Sequence, residues 1–310
     1  ASEDPPVLAA PEPRGVAPGK DGDGAAALPE LVVMVQCESF ADPVELFGEP
    51  GPALPGLAAA RARAWQWGDL QVSGFGAYTM RTEFAALFGR EEEALGFRRY
   101  DPFLSALGEA SYALPHRLGT EAWESQFVHP HDMRFYGRDR LLPAAGFAEL
   151  VGETHFAPPA PGEGRYVGDA AIASELLARA QRAQRPTLLY AVTIENHGPW
   201  AAGKDSGVPA LVANYRRLVG RGDAMLARLD AGLAALRRPA LLVFFGDHRP
   251  SIPGACVPGG ARHTPYVMVR YNGAGEPVHA PFAARHDRTP AALHHAVLDT
   301  MLGRTPAGVA

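Results

Sequence analysis

The sequence predicts an α/β protein built on a mostly parallel central sheet with helices on both faces. Three observations carry that prediction. Apolar runs suited to strands buried on both faces recur at Glu30–Cys37, Thr187–Thr193 and Leu241–Phe245. Stretches of helical periodicity separate them, chiefly Asp169–Arg182 and Leu211–Leu236. Strands that alternate with helices in this way bury their apolar faces as a parallel sheet. There is also no solenoid-period repeat, dinucleotide fingerprint or P-loop to argue for another architecture.

Residues 1–29 are dominated by Pro, Gly, Ala and acidic side chains without apolar periodicity, which predicts a linker or extended arm. Residues 30–310 are then expected to form one catalytic-sized domain. The first strand ends in Glu38-Ser39-Phe40. Residues 42–68 read as loop and then helix over Leu57–Ala64. Two close glycines, Gly74 and Gly76, lead into Thr79, after which Met80–Leu87 has helical spacing. Thr79 is therefore either an ordinary N-cap or a hydroxyl placed where the helix dipole favours an anion or a developing alkoxide.

Pro102–Leu107 predicts a short helix ended by Gly108, and Tyr112–Leu114 a short strand. His129–Asp139 concentrates two histidines, two arginines and two aromatics in one loop. Thr187–Thr193 runs into Glu195-Asn196-His197, and Leu241–Phe245 into Gly246-Asp247-His248. His263-Thr264-Pro265 precedes a strand at Tyr266–Arg270. The last helix, Pro290–Leu302, is closed by Gly303 as a C-cap.

Composition narrows the function. At 47% hydrophobic, 20% charged and a formal net charge of -5, the chain has no basic patch of the kind nucleic acid requires. Lys20 and Lys204 are its only lysines, so nearly every cation is arginine. Two cysteines, Cys37 and Cys256, are too few for a disulfide framework. They allow one bridge, or a buried free thiol at Cys37. No run of 18 apolar residues and no signal-peptide pattern occurs within the sequence.

Three predicted strands thus end in ligand-type residues, namely Glu38, His197 and the Asp247-His248 pair, with Thr79 at a helix start. In open α/β sheets, ligands collect at the carboxyl ends of strands. Carboxylates with imidazole suit a divalent ion such as Mn²⁺, Mg²⁺ or Zn²⁺. A threonine hydroxyl beside such an ion becomes a usable nucleophile. His129, Arg138 and His197 would then neutralise phosphate oxygens.

The ordered motifs CESF, YTMRTEF, HPHDMRFYGRD, TIENHGPW, FFGDHRP and HTPYVM resemble the extracellular catalytic domain of lipoteichoic acid synthases and phosphoglycerol transferases. That family lies in the alkaline phosphatase and sulfatase superfamily. The resemblance covers about residues 30–303 and implies an alkaline-phosphatase/sulfatase-like fold. It implies Glu38, Thr79, Asp247 and His248 as ligands to one divalent ion, Mn²⁺ before Mg²⁺ or Zn²⁺. It implies Thr79 as the nucleophile that carries glycerol phosphate, and His129, Tyr136, Arg138 and His197 as substrate-binding residues.

The sequence departs from the family at two places. A second threonine, Thr82, stands one turn after Thr79, and Arg249-Pro250 replaces the usual Tyr-Gly pair. No Cys or Ser occupies the setting in which sulfatases form formylglycine, which argues against sulfate ester hydrolysis. The expected activity is transfer of glycerol phosphate from a phosphatidylglycerol-type donor to a glycan or glycerol-phosphate polymer. Hydrolysis by a phosphodiesterase or phosphatase of the same superfamily is the alternative. A phosphoethanolamine transferase fits less well, because such relatives carry several disulfides. The resemblance also implies a domain on the periplasmic or extracellular face of the membrane, reached through a segment outside this sequence.

Overall fold

A computed structural model of the protein describes residues 27–48, 53–105, 107–201, 207–256 and 259–304. Its centre is a single sheet of eight strands. They are β1 (Leu31–Cys37), β2 (Gln66–Leu70), β3 (Glu124–Val128), β4 (Glu149–Val151), β5 (Thr187–Val192), β6 (Ala240–Gly246), β7 (Thr264–Tyr271) and β8 (Pro277–Val278). The order is β2-β7-β6-β1-β5-β3-β4, with β8 paired to β7.

The five strands from β6 to β4 are mutually parallel, while β7 runs antiparallel to β6 and β2 antiparallel to β7. The fold is therefore mixed α/β with a mostly parallel sheet, as the sequence predicts. β1 is fully buried along its length and lies between β5 and β6. Gln36 pairs with Val192, and Cys37 with Gly246. That register brings the carboxyl ends of the three central strands level, at the point where the chain order reverses and ligands are expected.

Alternation along β1 divides the core. Val33 and Val35 face one layer with Leu57, Ile172, Leu176 and Leu226 from helices Pro55–Ala62, Asp169–Arg182 and Val208–Ala235. Val32 and Met34 face the other, with Phe84, Phe88, Leu293 and Val297 from helices Thr79–Phe88 and Pro290–Met301. Each of these buried apolar side chains contributes roughly 1.5–3 kcal/mol.

Several expected elements shift. The strand expected at Tyr112–Leu114 is instead the end of a 3₁₀ turn, Leu107–Tyr112, followed by a helix, Leu114–Leu118. Pro115 in the first turn of that helix presets its backbone angle and has no N–H to lose. The helix at Pro102 ends at Ser105, and residue 106 lies outside the described residues. Prolines likewise move two other helix starts earlier than periodicity suggests, to Pro55 and, beside Pro209, to Val208. Thr289 caps the last helix by accepting from the Ala292 N–H at 3.0 Å, and Gly303 follows with φ 67.

The arm predicted at 1–29 lies outside the described residues up to residue 26. At its inner end the Ala27 carbonyl accepts from Arg270 Nη2 at 3.0 Å. Cys37 and Cys256 are both free and buried, so the bridge the sequence allowed is not formed.

Candidate metal centre and nucleophile

The turn after β1 does two jobs. Ser39 adopts the left-handed region, φ 49, which aims its backbone N–H at Asp247 Oδ1, 2.8 Å away. Its hydroxyl donates to Glu38 Oε1 at 2.9 Å, and the Glu38 N–H donates to Thr193 Oγ1 at 3.0 Å. The turns after β1, β5 and β6 are thereby tied together.

Glu38, Asp247 and His248 are all buried, and one ligand atom from each lies within 4.8 Å of the other two. The His248 Nδ1–H donates to the Arg249 carbonyl at 3.1 Å, which leaves Nε2 facing the carboxylates. Nε2 is 3.4 Å from Glu38 Oε1 and 3.5 Å from Asp247 Oδ2.

These residues fit a divalent cation on two counts. Asp247 Oδ2 is buried with no hydrogen-bond partner, which is costly unless something positive reaches it. Two charged carboxylates this close repel by about 3 kcal/mol at an effective dielectric of about 20. Burial, and then the Asp247 charge, push the Glu38 carboxyl up to about 8. A divalent ion removes both penalties.

Thr79 is the first residue of its helix, and not its cap. The preceding Tyr78 holds the cap position in the left-handed region, φ 74, without a side-chain capping bond. The loop before it presses against the segment after β6: Gly76 N–H donates to the Arg249 carbonyl at 2.9 Å. A Cβ on Gly76, at φ 62, would lie 2.2 Å from Ser251 Cβ, so only glycine permits this approach. The result is that Thr79 Oγ1 lies 3.3 Å from His248 Nε2. Thr82 is otherwise engaged, since its buried hydroxyl donates to the Asp247 carbonyl at 2.7 Å.

The four expected metal-site residues are thus brought together. The expected substrate residues are arranged differently from one another. Arg138 is 1% exposed and bound side-on to Glu83, at 2.9 Å through Nε and 2.6 Å through Nη2, while its Nη1 is left without a partner. The Tyr136 ring, on a residue with φ 62, packs 5.0 Å from the guanidinium.

His129 directly follows β3 and donates its Nδ1–H to the Val192 carbonyl at 2.9 Å. Burial, and then the Arg138 charge, hold its pKa well below the usual histidine range. His129 is therefore neutral, with Nε2 as an acceptor. It is not the cation that the motif suggests. His197 is exposed; its ring packs 5.8 Å from Tyr166, and its Nδ1–H donates to the Gly198 carbonyl at 2.7 Å. It shares no hydrogen bond with the Glu38–Asp247–His248 cluster.

Sequence reasoning missed Ser39, Glu83 and Thr193. Glu83 had a signal: it follows Thr79 by four residues, which places both on one face of the helix. Ser39 and Thr193 had none, because ordinary polar turns follow many strands.

A sulfatase family model matches residues 30–298. The chain belongs to the sulfatase family. The chain is 32% identical over 259 residues to the capsular polysaccharide biosynthesis protein RkpI of Rhizobium meliloti (strain 1021), covering 83% of this chain and 48% of RkpI. The chain thus spans about half the length of that relative. Among solved structures, this sulfatase-family fold is similar to the phosphoglycerol transferase GacH of Streptococcus pyogenes, bound to sn-glycerol-1-phosphate (TM-score 0.66, 16% identity, 87% of this chain and 74% of that one). It is also similar to the lipoteichoic acid synthase LtaP of Listeria monocytogenes (TM-score 0.64, 16% identity, 91% and 73%). At such identities the two likenesses establish a common fold.

Proposed function

We propose that this sulfatase-family chain is the catalytic domain of a metal-dependent phosphoglycerol transferase. In this reading it moves glycerol phosphate from a phosphatidylglycerol-type donor to a glycan hydroxyl at the extracytoplasmic face of a membrane. The observation that carries the reading is Thr79 Oγ1 set 3.3 Å from His248 Nε2, beside two buried carboxylates. The names of RkpI, GacH and LtaP support a glycan acceptor and a phosphoglycerol group. Among the described residues no helix is long and apolar enough to cross a membrane.

Glu38, Asp247 and His248, with the Thr79 hydroxyl, would hold one divalent ion, Mn²⁺ foremost. When bound, it supplies positive charge that favours the alkoxide of Thr79 and screens the phosphoryl oxygens. The chain's own residues do the rest. Thr79 Oγ1 attacks phosphorus; its bond to phosphorus forms as the phosphorus–oxygen bond to diacylglycerol breaks, and diacylglycerol leaves as the alcohol. An acceptor hydroxyl then attacks the same phosphorus, and the Thr79 oxygen is released with its proton restored.

Arg138 Nη1, buried and unpaired, offers a donor to a phosphoryl oxygen, and its carboxylate partner Glu83 holds it rigid. Neutral His129 offers Nε2 to a glycerol hydroxyl. Tyr136 supplies a wall beside Arg138, and His197, from the exposed turn after β5, faces the acceptor side. The test is diacylglycerol release from phosphatidylglycerol, with and without a soluble glucan. Glycerol phosphate on the glucan is the expected product. Glycerol phosphate released only to water would replace the transferase reading with hydrolysis.

A further inference from the structure

Most of the large exposed apolar side chains among the described residues fall in a few segments near the nucleophile's helix. Among the described residues nine large apolar side chains are exposed, and six of them belong to the segments that flank the nucleophile: Phe97 (93%), Leu104 (68%), Tyr100 (56%), Phe135 (52%), Tyr78 (50%) and Leu107 (45%). Scattered exposed apolar residues are normal, but a focused group marks an interaction surface.

Several of these residues are linked in space, and Phe97 shares a face of the 3₁₀ turn Gly96–Tyr100 with Tyr100, three residues on. Tyr78 immediately precedes Thr79, and its ring lies under the Arg81 guanidinium at 5.6 Å. Phe135 packs 4.4 Å from Tyr136, centroid to centroid, and Tyr136 in turn lies 6.2 Å from Phe103. Leu104, next to Phe103, approaches the space above Gly137. Arg99 lies 5.1 Å over the Tyr100 ring and donates to its hydroxyl at 3.2 Å. The rim of the Thr79 site therefore carries Phe and Leu side chains beside tyrosines and arginines. These are residue types that settle at a bilayer interface, apolar bodies inward and polar tips at the headgroups.

We propose that this rim docks on the surface of a phospholipid bilayer, with Phe97 and Leu104 entering the boundary between headgroups and acyl chains. The inference rests on the reading of the donor as a membrane phospholipid. In such a donor the scissile phosphate lies at the headgroup level, directly above its acyl chains. A nucleophile framed by apolar side chains reaches that phosphate while the chains stay in the membrane, and the diacylglycerol formed remains there.

The experiment compares the full chain with the double variant Phe97→Ser and Leu104→Ser, neither of which contacts the metal site. Flotation with vesicles of phosphatidylglycerol and phosphatidylethanolamine reads docking without turnover. Turnover is read separately on the same vesicles and on glycerophosphoglycerol, a water-soluble donor that lacks acyl chains. The variant is expected to lose about tenfold in vesicle partitioning and in vesicle turnover, since two inserted apolar side chains are removed. Its turnover of the soluble donor stays within about twofold of wild type. Unchanged partitioning, or equal loss on both donors, overturns the proposal. A chain that floats but turns over neither donor would overturn the transferase reading and leave the docking surface in place.

Discussion

Glu83 and Arg138 form a buried, two-point ion pair that ties the nucleophile's helix to the start of the helix Arg138–Ala144, with Nη2 2.6 Å from Oε2. Both side chains are at most 1% exposed, so neither charge has water to fall back on. Removing one partner leaves an uncompensated buried charge, a cost of about 3–5 kcal/mol. Glu83→Gln should therefore lower the denaturant midpoint sharply, with loss of activity. Glu83→Leu combined with Arg138→Met should recover most of the stability but none of the activity. Chemical denaturation of wild type and the two variants checks this, and a stable, inactive double variant is the expected signature of a pair kept for function.

Thr79 is predicted to be indispensable to turnover but not to folding. Thr79→Ala should cut diacylglycerol release by at least about a thousandfold. Its thermal midpoint should stay within a few degrees of wild type, because Thr79 makes no capping bond. Thr79→Ser, which keeps the hydroxyl, should retain measurable activity. Thr82→Val tests the neighbouring threonine: it removes the bond to the Asp247 carbonyl and should destabilise by about 1 kcal/mol.

Metal should act as a stabilising ligand. A divalent ion present at about 100 times its Kd adds roughly 2.7 kcal/mol to unfolding free energy. Chelation should reverse that gain, and Asp247→Asn should abolish it. Ser39→Ala removes the hydroxyl that orients Glu38, and partners of this kind alter metal affinity by about 10–100-fold. Titration with Mn²⁺, Mg²⁺ and Zn²⁺ by calorimetry, compared with wild type, reads both effects.

His294 predicts a pH dependence away from the site. It is fully buried against Ala86 and Gly89, and burial lowers its pKa to about 3. The folded state then binds no proton on this side chain where the unfolded chain, with a pKa of about 6.5, does. Stability from this group is therefore intact above about pH 6.5 and falls as pH drops toward about 3, by up to about 1.4 kcal/mol per pH unit. His294→Asn, whose amide keeps a donor for the Ala86 carbonyl, should flatten that part of the stability curve. Denaturation at a series of pH values from about 7 to about 4 compares the two slopes.

The sequence by itself determined the central strands and what stands at their ends. Leu31–Cys37, Thr187–Val192 and Ala240–Gly246 are buried throughout and apolar except at Gln36 and Thr187, and such runs are legible because burial on both faces leaves no other pattern. Glu38, Thr79, Asp247 and His248 were legible for the same reason, as polar groups that follow buried strands or open a helix. The outer strands were not. β2 and β3 are half-buried and interrupted by polar residues, such as Asp69 and Gln126, so periodicity does not separate them from loop.

Tertiary structure alone decided the partners. Whether Arg138 faces substrate or Glu83, whether His129 is charged, and whether Cys37 meets Cys256 depend on distances between residues far apart in the chain. The sequence placed His129 among the cations. Burial against the Val192 carbonyl, with the Arg138 charge nearby, makes it neutral. Protonation and pairing are set by the local dielectric and by neighbouring charge, and both arise only once the chain has packed.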